Sequence, residues 1–263
     1  MPRKTAKVFS LEGKSVGKIE LPAIFATPLR PDVIRRAVLA SQSSRIQPQG
    51  RDPMAGKKTT AESRGTGSGI ARIPRMKTGG GKAAFAPGTV KGRAGHPPTS
   101  EKIIVKRIPK KEKRLALFSA IAATASKELV ASRGHPTVDI PEIPLIVTDD
   151  LQELEKTKEV EETLIRLGIL SDIYRVRESR NIRAGKGKLR GRRTKQAVGP
   201  LMVITENKGI VKAAKNIPGV DVVLVNNLNA EMLAPGAQPG RLTIWTNGAI
   251  TKLNELYGEG EQA

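Results

Sequence analysis

The chain has no cysteine, seven aromatic residues and no long apolar run. Each absence excludes something. Without cysteine there is no disulfide, no thiol nucleophile and no cysteine-based metal site, and the composition suits a reducing compartment. No apolar segment approaches the roughly 20 residues that cross a bilayer. Met1-Pro2-Arg3-Lys4 leads into no signal-like apolar stretch. The chain therefore reads as soluble and without a membrane partner. A helix lying on a membrane would want aromatic anchors, and the basic stretches here are Gly-rich instead. The aromatics are Phe9, Phe25, Phe85, Phe118, Tyr174, Trp245 and Tyr257. Stacking on splayed bases needs exposed aromatic platforms. A nucleic acid would be met through phosphate and shape.

Acids are locally scarce too. The 263 residues carry a net charge of +21, and it is concentrated. Residues 46–100 hold ten Lys/Arg (Arg51, Lys57, Lys58, Arg64, Arg72, Arg75, Lys77, Lys82, Lys91, Arg93) against Asp52 and Glu62. Residues 102–114 hold seven, including Lys110, Lys111, Lys113 and Arg114, against Glu112. Residues 175–195 hold ten, including Arg183, Lys186, Lys188, Arg190, Arg192 and Arg193, against Glu178. The rest of the chain sums to about −2. A solubilising surface mixes both signs. Charge clustered in this way is the electrostatic footprint of a polyanion partner, above all nucleic acid.

Residues 46–100 also lack a core. Their large apolar side chains are Ile46, Met54, Ile70, Ile73, Met76, Phe85 and Val90, set among Gly65-Thr66-Gly67-Ser68-Gly69 and Gly79-Gly80-Gly81. Ordering each residue costs about 1–2 kcal/mol of backbone entropy. Seven side chains in about 55 residues cannot offset that by burial. The segment is expected to be disordered alone, or ordered by something external and polyanionic.

The remainder, residues 1–45 and 101–263, reads as one globular α/β domain, with 175–195 a second basic loop inside it. Lys7–Phe9 and Val16–Leu21 flank Glu12-Gly13-Lys14 as a hairpin. Pro31-Asp32 opens a helix to about Ala40. Structure resumes near Ile103-Ile104-Val105, and Pro109 starts a helix whose apolar positions run through Leu115, Phe118, Ala122, Ala125 and Leu129. Pro144–Val147, Pro200–Ile204, Val220–Val225 and Leu242–Trp245 read as buried strands. Helices are expected at Leu151–Leu167, with Asp149 and Asp150 as N-cap candidates, at Gly209–Ala214, at Ala230–Leu233 and at Gly248–Leu256. This alternation implies an open, mostly parallel sheet flanked by helices.

Such a sheet is a common enzyme scaffold, so catalysis needs direct tests. A phosphate-binding P-loop wants G-x-x-x-x-G-K-[ST] after a strand. At Gly81-Lys82 the leading glycine is Met76, the hydroxyl position is Ala83, and no strand precedes. Gly65-x-Gly67-x-Gly69 ends on Ile70 where a dinucleotide turn needs glycine, and lies in no βαβ unit. The one G-x-S-x-G match, Gly13-Lys14-Ser15-Val16-Gly17, falls in the predicted hairpin and not at the strand-to-helix turn that a nucleophile elbow needs. His96 and His135, each in Gly-His-Pro, read as turn residues, and two histidines without cysteine make a poor zinc site. Glu153, Glu155, Glu159, Glu161 and Glu162 suit the solvent face of one predicted helix. No catalytic residue, metal ligand or cofactor site is assigned. Two rivals to a structural RNA-binding role stay open at this point: a free nucleic-acid-binding regulator and an α/β enzyme with basic appendages.

Three blocks carry a resemblance. The first is Ala61–Gly67, continuing into Ala71-Arg72-Ile73-Pro74-Arg75 and Gly79-Gly80-Gly81. The second runs from Ala84-Phe85-Ala86-Pro87 to Gly95-His96-Pro97-Pro98. The third is Asn216–Val222 with Asn227-Leu228-Asn229-Ala230 and Leu233-Ala234-Pro235-Gly236. In order and over nearly the whole length, the chain resembles the family of large-subunit ribosomal protein four in its archaeal and eukaryotic form. The resemblance implies a cytoplasmic, non-catalytic constituent of the large ribosomal subunit that binds 23S-type rRNA early in assembly. It implies a long loop that penetrates the rRNA, its tip lining the polypeptide exit tunnel beside ribosomal protein twenty-two and meeting the nascent polypeptide in passing. By position the tip is Arg64–Arg75, with Arg64, Ser68, Ile70 and Arg72 as tunnel-lining candidates. One departure is visible. Many members have an aromatic residue after Ala-Glu-Ser, where this chain has Arg64, so stacking by that aromatic does not carry over, although a guanidinium can still stack.

Overall fold

The computed structural model describes residues 5–257. The chain divides into two units, one running to Ser41 and resuming at Arg107, the other Gln42–Lys106.

In the first unit, β1 (Thr5–Phe9) and β2 (Ser15–Glu20) form the expected antiparallel hairpin. Helix α1 (Pro31–Ser43) begins on its proline, whose fixed φ suits a first helical position. Residues 101–109 form no regular element, and Ile103 is exposed rather than part of a strand. The long helix expected from Pro109 through Leu129 is instead two, α2 (Lys110–Thr124) and α3 (Lys127–Ser132). The break lies at Ser126, whose extended backbone lets its Oγ accept from Leu129 N–H and cap α3. After β3 (Leu145–Val147), the expected Leu151–Leu167 helix is also divided. Asp149–Glu153 form a 3-10 turn, Leu154 and Lys156 are extended, and α4 covers Thr157–Arg166. Helix α5 (Leu170–Glu178) was unforeseen and takes in Arg175 and Arg177. Short strands β4 (Asn181–Ile182) and β5 (Thr194–Lys195) then pair antiparallel. The remaining elements fall where the sequence places them: β6 (Leu201–Ile204), α6 (Ile210–Lys215), β7 (Asp221–Leu224), α7 (Ala230–Leu233), β8 (Thr243–Thr246) and α8 (Asn247–Tyr257).

The main sheet has the order β2-β1-β3-β8-β6-β7, and only the β1–β2 pair is antiparallel. The α/β class and the mostly parallel sheet are as expected. Side chains alternate across the pleat. Leu145, Val147, Met202, Ile204 and Ile244 meet α4, α5 and α6 on one face. Ile146, Leu201, Val203 and Trp245 meet α1, α2, α7 and α8 on the other. There Phe25 sits edge-on to Trp245 with ring centroids 5.7 Å apart.

The second unit is described by itself. Lys106 N–H donates to Ser43 Oγ at 2.9 Å, joining its two ends. Arg51 N–H donates to Pro98 O at 3.1 Å, and Arg93 N–H to Phe85 O at 3.4 Å. Gly56 lies so close to the returning limb that a Cβ there would come within 2.6 Å of Arg93 N, which only glycine permits. Between residues 46 and 100, Ala84 is the one buried hydrophobic residue.

Candidate nucleic-acid interface

Backbone pairing gives the second unit two tips. Glu62 and Arg75 exchange N–H···O bonds at 3.1 Å, and Ser63 Oγ donates to Arg72 O at 2.8 Å, closing a first tip over residues 64–71. Met76 N–H donates to Lys82 O at 2.9 Å, closing a second over residues 77–81. Arg64, Ser68 and Ile70 lie at the first tip, Arg72 closes it, and all four are exposed. Lys77 and Lys82 flank the second, and Lys77 pairs with Glu62 at 2.9 Å with both side chains mostly in solvent.

The ten cations do not share one role. Arg51, Lys57, Lys58, Arg64, Arg72, Lys77, Lys82 and Lys91 are exposed. Lys58 approaches Asp52 at 3.6 Å, an exposed pair that holds it weakly. Arg75 is half-buried and donates through Nη1 to Gly81 O at 3.0 Å, while its backbone bridges to Glu62 and to Ala83. It is the joint of both tips. Arg93 is also half-buried and lies over the Phe85 ring, 5.8 Å from its centroid. That contact uses the segment's single aromatic internally.

In the first unit, Lys110, Lys111, Lys113 and Arg114 occupy the first turns of α2 and are exposed. Glu112 between them turns inward to Arg36 at 2.7 Å. The one local acid is thereby taken away from the lysines. Cations here oppose the helix dipole, a penalty that an external anion reverses.

The second basic stretch is a hairpin rather than an open loop. Arg183 N–H donates to Arg193 O at 2.8 Å and its Nε to Arg192 O at 3.1 Å. A 3-10 turn covers Lys186–Arg190. Lys186, Lys188, Arg190, Arg192 and Arg193 are exposed, with Leu189 among them. Arg183 is half-buried at the base.

What braces this hairpin was not visible in the sequence. Asp172 is buried on α5 and accepts from His135 Nδ1 at 3.0 Å and Arg175 Nε at 2.8 Å. The same guanidinium donates through Nη2 to Val198 O at 2.9 Å, beyond the hairpin's return. Ala197 N–H donates to Ser179 Oγ at 2.8 Å. His135 is thus a buried partner of a carboxylate, not simply a turn residue. Nearby Arg241 is buried and donates to Gly199 O at 2.8 Å, Met232 O at 2.9 Å and the Asp221 carboxylate. Burial lowers the Arg241 pKa and the Asp221 partner opposes that shift. Burial, then the neighbouring Arg241 and Arg175, bring Arg133 down to about 10, still charged at neutral pH. Arg133 donates to Pro235 O at 2.9 Å and to Gln238 O. No motif flags these arginines; only their carbonyl partners, remote in sequence, do.

The carboxyl ends of the strands test the enzyme reading. Neighbouring strands β3 and β8 send their following helices, α4 and α8, to opposite faces of the sheet. That is where open α/β sheets bind ligands. Here the crevice is filled from within. Asp149 accepts from Gly248 N–H at 2.9 and 3.1 Å and from Gln152 Nε2 at 2.9 Å. Gln152 Oε1 in turn accepts from Glu206 N–H at 2.8 Å. The protein's own carboxylate thus sits at the start of α8, and Asp149, expected to cap the next helix in sequence, caps a distant one. Among the described residues, no group of three or more His, Asp or Glu is placed to hold a metal ion. No helix among them is long and apolar enough to cross a membrane.

Self-filled strand ends and cation-rich, core-poor segments define a class: a basic structural protein built on an α/β sheet. Comparison with known proteins gives the family. Residues 19–256 match the model of the Ribosomal protein L4/L1 family. Three relatives are each named large ribosomal subunit protein uL4. That of Methanosphaera stadtmanae is 52% identical over 250 residues, 95% of this chain and 96% of the relative. That of Sulfurisphaera tokodaii is 50% identical over 261 residues, 99% and 97% of the two chains. That of Methanopyrus kandleri is 49% identical over 258 residues, 97% and 99%. The chain belongs to the Ribosomal protein L4/L1 family, as an archaeal-type member: it is a ribosomal protein of structural, not enzymatic, kind.

Proposed function

We propose that this protein is a cytoplasmic constituent of the large ribosomal subunit that binds 23S-type rRNA early in assembly. Contact runs through three cationic segments: the Gln42–Lys106 unit, the first turns of α2 and the β4–β5 hairpin. The carrying observation is that residues 46–100 hold eight exposed cations beside a single buried hydrophobic residue. Such a segment gains its order from a polyanion, and Gly-rich limbs pass close to phosphates that bulkier chains would avoid. The first tip, with Arg64, Ser68, Ile70 and Arg72, lines the polypeptide exit tunnel beside ribosomal protein twenty-two, where the nascent polypeptide passes.

Binding of the purified chain to a large-subunit rRNA transcript, titrated against salt, tests the reading. Each phosphate contact contributes roughly 0.7–0.9 to the log–log slope. A steep slope is expected, and affinity indifferent to salt overturns the proposed contacts. Equal affinity for duplex DNA would favour a free regulator instead. For the tunnel assignment, an assembled subunit with residues 64–75 far from the tunnel wall is the contrary result.

A further inference from the structure

Gly79, Gly80 and Gly81 have successive positive φ values of 88°, 79° and 67°. A Cβ built at any of the three meets nothing within 4 Å. Crowding within this chain therefore does not explain the glycines; the left-handed backbone does, and it leaves the turn's surface bare. No backbone N–H from Lys77 to Lys82 donates within the chain among the described residues. The turn offers amide donors, one Thr78 hydroxyl, the Lys82 ammonium and that of Lys77, which is shared with Glu62 at 2.9 Å. It offers no apolar side chain and no acid of its own.

The turn is also fixed in place. Met76 N–H closes it onto Lys82 O at 2.9 Å, and Arg75 Nη1 holds Gly81 O at 3.0 Å. Turning Gly81 O toward the guanidinium commits that peptide's acceptor to the inside of the unit. The N–H of that same peptide, Lys82 N–H, is left without a partner in the chain among the described residues. Successive backbone N–H groups in turns make anion-binding sites, and glycine lets a ligand approach them closely. The first tip also has open, positive-φ glycines, Gly65, Gly67 and Gly69, but they alternate with Thr66 and Ser68 and lead into the exposed Ile70.

We infer that the Gly79–Gly81 turn is a phosphate seat for one RNA phosphodiester group, gripped by backbone amides and flanked by Lys77 and Lys82, with Arg75 as a positioning residue that does not itself touch the RNA. This rests on the rRNA-binding reading above and separates the two tips in function.

The test uses the full chain and a large-subunit rRNA transcript, with a phosphate-ethylation interference map as readout beside affinity. Three variants are compared: the triple substitution Gly79→Ala, Gly80→Ala and Gly81→Ala; Arg75→Lys; and a control with Gly65→Ala, Gly67→Ala and Gly69→Ala. All three keep the net charge. The first two are expected to weaken binding about tenfold, the scale of one charge-assisted hydrogen bond, and to erase the same few phosphates from the map. The control is expected to leave those phosphates in place. Thermal melts check that the body folds in all three, and hydrogen exchange of the Met76 amide, bonded to Lys82 O, checks that the turn stays closed. Wild-type binding and an unchanged map in the triple variant overturn this inference alone. A wild-type chain that fails to bind rRNA in a salt-dependent way overturns the broader reading with it.

Discussion

Arg175 belongs to a run of ten cations by sequence and to a buried carboxylate by structure. Its fork donates to Asp172 and to Val198 O together, which a lysine ammonium cannot reproduce in one planar geometry. Replacing Arg175 by Ala leaves the Asp172 charge buried with His135 alone. A loss of about 3 kcal/mol is expected in urea denaturation, at the lower end for broken buried pairs because the guanidinium is 30% exposed. Arg175→Lys should recover only part of it. A second residue-scale expectation concerns acid. The Arg30 guanidinium, with help from Val33 N–H, holds the Asp32 carboxyl at about 2 instead of the usual 3.8. The folded pKa is depressed, so the contribution is complete above 3.8 and is lost as pH falls through about 2. A carboxyl-carbon NMR titration of Asp32 should show that midpoint, and Asp32→Asn should flatten the stability curve in that window.

Single elements were legible wherever burial demanded an apolar run. β3, β6 and β8 are buried on both faces of the sheet, and the sheet follows from them. Breaks within helices were not, because the apolar spacing continues across Ala125 and across Leu154 while the backbone does not. Ser126 marks the first break by capping α3, a role that spacing alone does not reveal. The second is marked by Asp149, whose carboxylate goes to Gly248, 99 residues away in sequence. Sequence could nominate Asp149 as a cap without saying for which helix. Asp149→Ala removes the acceptor at the start of α8 and leaves the Gln152 Nε2 only its longer bond to Thr205 Oγ1 at 3.4 Å. A destabilisation of about 1–2 kcal/mol is expected in thermal melts, together with faster hydrogen exchange of the Gly248 amide. Intact protection at Gly248 in that variant would contradict the capping role. Among the site cations, exposure was legible from composition, whereas the inward turn of Arg75 and the Arg93–Phe85 contact depended on tertiary partners.

At the scale of the molecule, the three apolar clusters of the first unit draw on no residue between Gln42 and Lys106. Replacing residues 46–100 by a short Gly-Ser linker should therefore leave the melting temperature of the body within a degree or two. The salt slope of rRNA binding should become shallower by roughly 0.7–0.9 for each phosphate that the shortened chain no longer neutralises. A large drop in melting temperature would mean that the segment supports the body after all. Digestion of the free chain should cut first within residues 46–100, where one buried hydrophobic residue resists opening.

Asp149 has a consequence for life in a crowded cell. Free nucleotides and inorganic phosphate abound there, and an α/β sheet with an open crevice would sample them constantly. By seating its own carboxylate on the Gly248 amide, the sheet occupies a donor that a small anion would otherwise take. Small anions compete only weakly for its cationic segments, because no single one can bridge many cations as a polymer does. The fold thus supplies from within, at the end of its sheet, an anion that such crevices take from outside.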